Sequence, residues 1–97
     1  MRLTEGEIKT LLKEVQTMDP KAEVWLYGSR TNEKLQGGDI DLLIISSIIN
    51  FTRKIDLLVQ LKIALGDQKI DLHITQPEEK LTDPLTVAIL KNAIQMR

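Results

Sequence analysis

Three aspartates, Asp39, Asp41 and Asp71, have the types and spacing that could do chemistry in this 97-residue chain. Asp39-Ile40-Asp41 runs directly into Leu42-Leu43-Ile44-Ile45. In a strand, residues i and i+2 point to the same face, so these two carboxylates point the same way. Like charges held side by side raise each other's pKa and cost energy, and a core-building strand has no use for them. A divalent cation between them turns repulsion into attraction, and hard cations such as Mg²⁺ prefer carboxylate oxygens. Taken alone, the triplet fits equally well a turn that ends after Gly38 and a solvated sheet rim. Asp71, flanked by Ile70 and Leu72 near the start of a later apolar stretch, shifts the balance toward a shared site.

The elements that must position these side chains follow from periodicity. Thr4 with Glu7 three residues on is a capping box, and Ile8, Leu11, Leu12 and Val15 mark one face of a helix over 4–17. Residues 22–27 are rich in β-formers and stop at Gly28-Ser29. Residues 30–38 form a polar turn ending in Gly37-Gly38. Residues 39–46 form the strongest strand, apolar on both faces in its second half, as in a covered central strand. Leu57, Leu58, Leu61, Ala64 and Leu65 set a helix over 51–65, with Gly66 at its C-terminus. Residues 69–75 alternate as a half-buried strand. A last helix spans 84–96, capped by Asp83 with Pro84 at its first position. The expected fold is α/β (α+β), a small mixed sheet of at least three strands covered by helices, in the order α-β-turn-β-α-β-α.

This order brings the chemistry together. The link from residue 46 to 69 carries a helix, as a parallel crossover requires, so both strands begin at the same sheet end. Asp39, Asp41 and Asp71 can then converge. The short turn after Ser29 makes the first strand an antiparallel neighbour of the second, which brings Gly28-Ser29 to the same end. Glycine lets a phosphate approach the backbone, serine adds a hydroxyl and an N–H donor, and Arg30 adds a fixed positive charge. Gly-Ser by itself is also a routine loop dipeptide.

Composition limits the alternatives. The length argues for a single domain, 1–97. Apolar residues make up 42%, enough for one core, and Trp25, Tyr27 and Phe51 are the only aromatics. A net charge of −1 gives no general reason to bind nucleic acid. No apolar run approaches the ~20 residues of a membrane span, and the first residues lack a signal peptide's apolar stretch. With no cysteine there is no disulfide or thiolate metal site. Together these features suit a cytoplasmic protein.

Leu26-Tyr27-Gly28-Ser29-Arg30, nine residues between Ser29 and Asp39, then Asp39-Ile40-Asp41-Leu42-Leu43-Ile44 and Ile70-Asp71-Leu72, resemble the DNA polymerase β-like nucleotidyltransferase superfamily. The likeness is greatest to its minimal, stand-alone members. It implies that Ser29 and the Gly28 backbone contact the β/γ-phosphates of a nucleoside triphosphate, with Arg30 beside them. Asp39, Asp41 and Asp71 would hold Mg²⁺ or Mn²⁺, Asp71 also activating the acceptor hydroxyl. The reaction would move a nucleoside monophosphate, AMP from ATP, to that acceptor. Minimal members pair with small helical HEPN proteins, and several act as antitoxins that adenylylate a toxic RNase partner. The other reading is a catalytically silent module that neutralises its partner by occlusion. The spacer Thr31-Asn32-Glu33-Lys34-Leu35-Gln36-Gly37-Gly38 departs from many relatives, which carry a second Arg-Gly or Ser/Thr signal there. His73 shares a face with Asp71 and fits a rim position better than a ligand. Trp25 and Tyr27 fit core packing better than base stacking. Lys34, Lys69 and Lys80 read as solvated. The broad apolar stripe of the final helix leaves room for a second chain, and hence for a homo-oligomer.

Overall fold

A computed structural model describes residues 3–28, 40–66 and 68–97. Helix α1 (Glu5–Met18) starts at the expected capping box: the Glu7 N–H donates to Thr4 Oγ1 at 3.1 Å and the Thr4 N–H to Glu7 Oε1 at 3.0 Å. Strand β1 is Glu23–Tyr27, β2 is Ile40–Ile45, and β3 is Ile70–Thr75. Helix α2 (Phe51–Leu65) joins β2 to β3. It opens with the Asn50 side chain accepting the Arg53 N–H, and closes at Gly66, whose φ of +81° suits glycine. A single 3₁₀ turn (Pro77–Glu79) leads to α3 (Pro84–Leu90), capped by Asp83 as expected.

The sheet order is β3-β2-β1-β4, with β2 and β3 parallel and β1 antiparallel to both its neighbours. Strand β4 (Ile94–Gln95) corrects the sequence reading, which ran the last helix to residue 96. Leu85, Ile89, Leu90, Ala93 and Ile94 do recur at helical spacing, but the helix stops at Leu90. The chain then returns along the outer edge of β1. There the Val24 N–H donates to the Arg97 carbonyl at 3.0 Å and the Met96 N–H to the Val24 carbonyl at 2.7 Å. Those ladder bonds satisfy backbone groups of β1 that a continued helix would have left open, and Met96 packs against the core.

One face of the sheet carries Val24, Leu26, Ile40, Leu42, Ile44, Ile70 and Leu72. They form a single core with Leu11 and Val15 of α1 and Leu57 and Leu61 of α2. The opposite face carries Glu23, Trp25 and Tyr27 on β1, Asp41, Leu43 and Ile45 on β2, and Asp71, His73 and Thr75 on β3. Helix α3 and the turn before it cover only part of this second face. Buried Thr86 bonds Thr75 at 2.7 Å, and Lys80 reaches Glu23 at 2.9 Å while lying 5.6 Å from the centre of the Trp25 ring. Lys80 is thus paired rather than simply solvated. No helix among the described residues is long and apolar enough to cross a membrane.

Candidate active site

Tyr27, Asp41 and Asp71 stand in one row across the sheet. Antiparallel register sets Tyr27 opposite Asp41, and parallel register sets Asp41 opposite Asp71. Paired residues project to the same face, and neighbouring strands lie about 4.8 Å apart. The expected convergence of strand beginnings therefore holds for Asp41 and Asp71. Asp39, Ser29 and Arg30 lie outside the described residues.

Gly28 follows Tyr27 with a φ of +76°, a conformation that favours glycine. A Cβ added there would lie 3.2 Å from the Asp41 Cγ and closer still to Oδ2. The glycine therefore makes room for the Asp41 carboxylate. Asp71 is exposed and Asp41 partly buried, so the row opens to solvent at its β3 side.

Tyr27 is the site-lining residue that sequence reasoning set aside as core. Its phenol is held above the ordinary tyrosine pKa, first by burial, then by the charges of Asp41 and Asp71. The phenol stays neutral beside two carboxylates, as a potential hydrogen-bond donor at the mouth of the site. The strict alternation of β1 carried the signal: Val24 and Leu26 take the core face, which leaves Tyr27 on the other. His73 lies on the same face as Asp71, one step further along β3. Asp83, the α3 cap, has its carboxyl held below the usual range by hydrogen bonds from the Thr86 side chain and backbone, with His73 a smaller influence.

The donors brought together are hard carboxylate oxygens, which fit Mg²⁺ or Mn²⁺ and not a soft, thiolate-seeking metal. Among the described residues no group of three or more ligating side chains forms. Mg²⁺ commonly needs only one or two carboxylates when substrate phosphates complete its shell, so the Asp41–Asp71 pair is compatible with such an ion.

The model of the nucleotidyltransferase domain family matches residues 8–96. The chain belongs to that family. The nucleotidyltransferase fold recurs in solved structures. A mutant of the toxin–antitoxin MntA–HpeT with two Asp-to-Glu changes is similar at 16% identity, over 93% of this chain and 71% of that one, with a TM-score of 0.72. A toxin–antitoxin structure with AMP-PNP is similar at 18% identity, over 93% and 72%, with a TM-score of 0.73. A provisionally named nucleotidyltransferase is 26% identical over 76% of this chain and 83% of its own, with a TM-score of 0.58. No curated protein sequence matches the chain. The nucleotidyltransferase resemblance read from the Gly-Ser and Asp-Ile-Asp motifs thus agrees with the family match and the fold.

Proposed function

We propose that this nucleotidyltransferase, acting as one domain over 1–97, transfers AMP from ATP to a hydroxyl of a partner protein in the cytoplasm. The partner in this reading is a small helical toxin of the HEPN type, and the modification silences it. The observation that carries the proposal is the register of Asp41 with Asp71, two carboxylates side by side on an open sheet end next to Gly28. The toxin–antitoxin neighbours, one of them with AMP-PNP, support the choice of nucleotide and partner.

Asp39, Asp41 and Asp71 would hold Mg²⁺. When bound, the ion neutralises charge on the triphosphate and on the attacking and leaving oxygens. Gly28 and Ser29 would receive the phosphates on backbone N–H groups and a hydroxyl, with Arg30 supplying a compensating positive charge. Asp71, on the exposed side of the row, is suited to accept the proton of the incoming acceptor hydroxyl. The pyrophosphate then leaves toward the Gly28-Ser29 turn.

The test uses ATP labelled at the α-phosphate, Mg²⁺ and proteins that co-purify with the chain. Label on a partner hydroxyl with stoichiometric pyrophosphate release is the expected result. Repeating the assay with each other NTP fixes the base. A partner that stays neutralised with no label from any NTP would replace this reading with the silent binding module.

A further inference from the structure

The free edge of β3 is the surface most open to assembly. Among the described residues β3 has one strand neighbour, β2. The Ile40 N–H donates to the Lys69 carbonyl at 2.8 Å and the Ser46 N–H to the Thr75 carbonyl at 2.9 Å, which fixes the phase of that ladder. Odd-numbered residues of β3 therefore turn their backbone groups toward β2. The N–H and C=O of Ile70, Leu72 and Ile74 turn outward, along a six-residue strand with no proline and no positive φ. Edges of this kind are ready templates for another strand unless something blunts them.

The surroundings of this edge combine a groove of mixed polarity with an exposed apolar helix ridge. A groove of about 420 Å³ is lined by His73 and Thr75 from one sheet face, and by Asn50, Phe51 and Lys54 from the other. It therefore wraps around the strand's outer edge. Phe51, Ile55, Val59 and Ile63 form one i, i+4 ridge along α2, and they are 74%, 46%, 49% and 72% exposed. Arg53, Asp56 and Gln60 line a different concavity, beside α1. Phe51, at the start of this ridge, lies beside the β3 edge, and Ile55, Val59 and Ile63 continue the ridge along the exposed side of α2. A helix that is apolar on its core face and again on its outer face is the pattern of a covered helix.

We infer that a second copy of this chain covers this edge, its β3 pairing antiparallel with the first across a two-fold axis at Leu72. The phase of the outward groups allows few registers. Centring on Leu72 makes three hydrogen-bonded residue pairs: Leu72 with itself, and Ile70 with Ile74 twice. The same register sets Asp71 of each copy opposite His73 of the other, where an imidazole N–H can donate to the carboxylate. Centring on Asp71 would set like carboxylates face to face. Centring on His73 loses one hydrogen-bonded pair. The ends of the edge also complement each other under this symmetry. Exposed Lys62 and Lys69 flank the start of β3, and exposed Glu78 and Glu79 follow its end, where the adjacent Lys80 is paired with Glu23 and Lys54 lines the same groove as Glu79. Antiparallel pairing brings each basic end to the other copy's acidic end and sets Phe51 of each copy beside the shared edge, as a closed isologous interface requires. The dimer also carries His73 of the second copy to the Asp71 side of each candidate site.

The experiment is sedimentation of the full chain without nucleotide or partner protein, so its outcome is independent of transferase activity. The wild type is expected to dimerise. Lys62→Glu with Lys69→Glu, and separately Glu78→Lys with Glu79→Lys, should each weaken the dimer about tenfold or more. An equimolar mixture of the two variants should recover it as a heterodimer, since each then meets opposite charges at both ends. Hydrogen exchange on the wild type gives a second readout: the Leu72 and Ile74 amides should become protected as concentration rises. A wild type that is monomeric at about 100 μM, well above a micromolar Kd, would overturn the proposal. So would a dimer unmoved by either charge swap, or Leu72 and Ile74 amides protected only when a different protein is added.

Discussion

Where β2 and β3 finish, polar groups sit in closed hydrogen-bonded sets. Thr75 bonds Thr86, Thr86 bonds Asp83 at 2.7 Å, and the Ser46 hydroxyl donates to the buried Asp19 carboxylate at 2.5 Å. Where the same two strands begin, Asp41 and Asp71 stand in register with Tyr27, two like charges beside a phenol whose pKa is raised first by burial and then by their field. Polar residues at the finishing end hold elements together: Asp19 ties the end of α1 to the residue after β2, and Thr86 ties α3 to β3. Those at the starting end gather negative charge, which a bound cation would offset. Position along a strand therefore separates scaffold from candidate chemistry within one small sheet.

The contrast can be broken by mutation, beginning with the largest effect. Asp41→Asn and Asp71→Asn should each lower nucleotidyl transfer by about 10²–10³-fold or more, in the range seen when charge-stabilising groups are removed. Apo Asp71→Asn should keep its denaturation midpoint within about 0.5 kcal/mol of wild type or gain slightly, because one of two like charges is gone. Gly28→Ala should affect both properties. The positive φ and the Asp41 carboxylate both oppose a methyl group, so a loss of about 1–3 kcal/mol in urea denaturation is expected together with lost activity.

At the other end the pattern should invert. Ser46→Ala leaves the buried Asp19 carboxylate without its hydroxyl donor and should cost about 1–3 kcal/mol of stability. Thr86→Val should cost about 1 kcal/mol for the same reason. In both variants the transfer rate per folded molecule should match wild type. Reduced turnover in folded Thr86→Val would mean that the two ends are coupled.

The smallest effect concerns Tyr27, the only tyrosine, whose ionisation can be followed by tyrosinate absorbance. Its pKa should lie above the ordinary value of about 10, and Asp71→Asn should bring it down. The folded-state pKa is raised, so the associated stability is fully present below the unfolded tyrosine pKa and is lost as pH rises from there through the folded value. Tyr27→Phe should therefore flatten the alkaline fall in stability. An unshifted tyrosine would contradict the placement of its ring beside the carboxylates.

Most of this arrangement was legible in the sequence. Asp41 and Asp71 each sit next to strand-forming apolar residues, and the intervening helix forces the parallel crossover that aligns them. Long periodic segments gave α1, α2 and the three main strands within a residue or two. The chain's end was harder. Ile94 and Met96 fit a helical stripe, and the strand that formed instead depends on an open β1 edge that local spacing does not reveal. Tyr27 was misjudged because a strand aromatic in a small domain ordinarily fills the core. Its true face follows from the alternation of β1, in which Val24 and Leu26 take the core side. The closeness of Gly28 to Asp41 is instead a register effect, since thirteen positions separate them in sequence.

The measurement that bears most directly on the carboxylate row is Mn²⁺ binding, read by electron paramagnetic resonance in the presence of AMP-PNP. Wild-type protein should bind the ion, and Asp41→Asn and Asp71→Asn should each weaken that binding by at least about tenfold. Equal Mn²⁺ affinity in wild type and both variants would contradict the assignment of the row as the metal and nucleotide site.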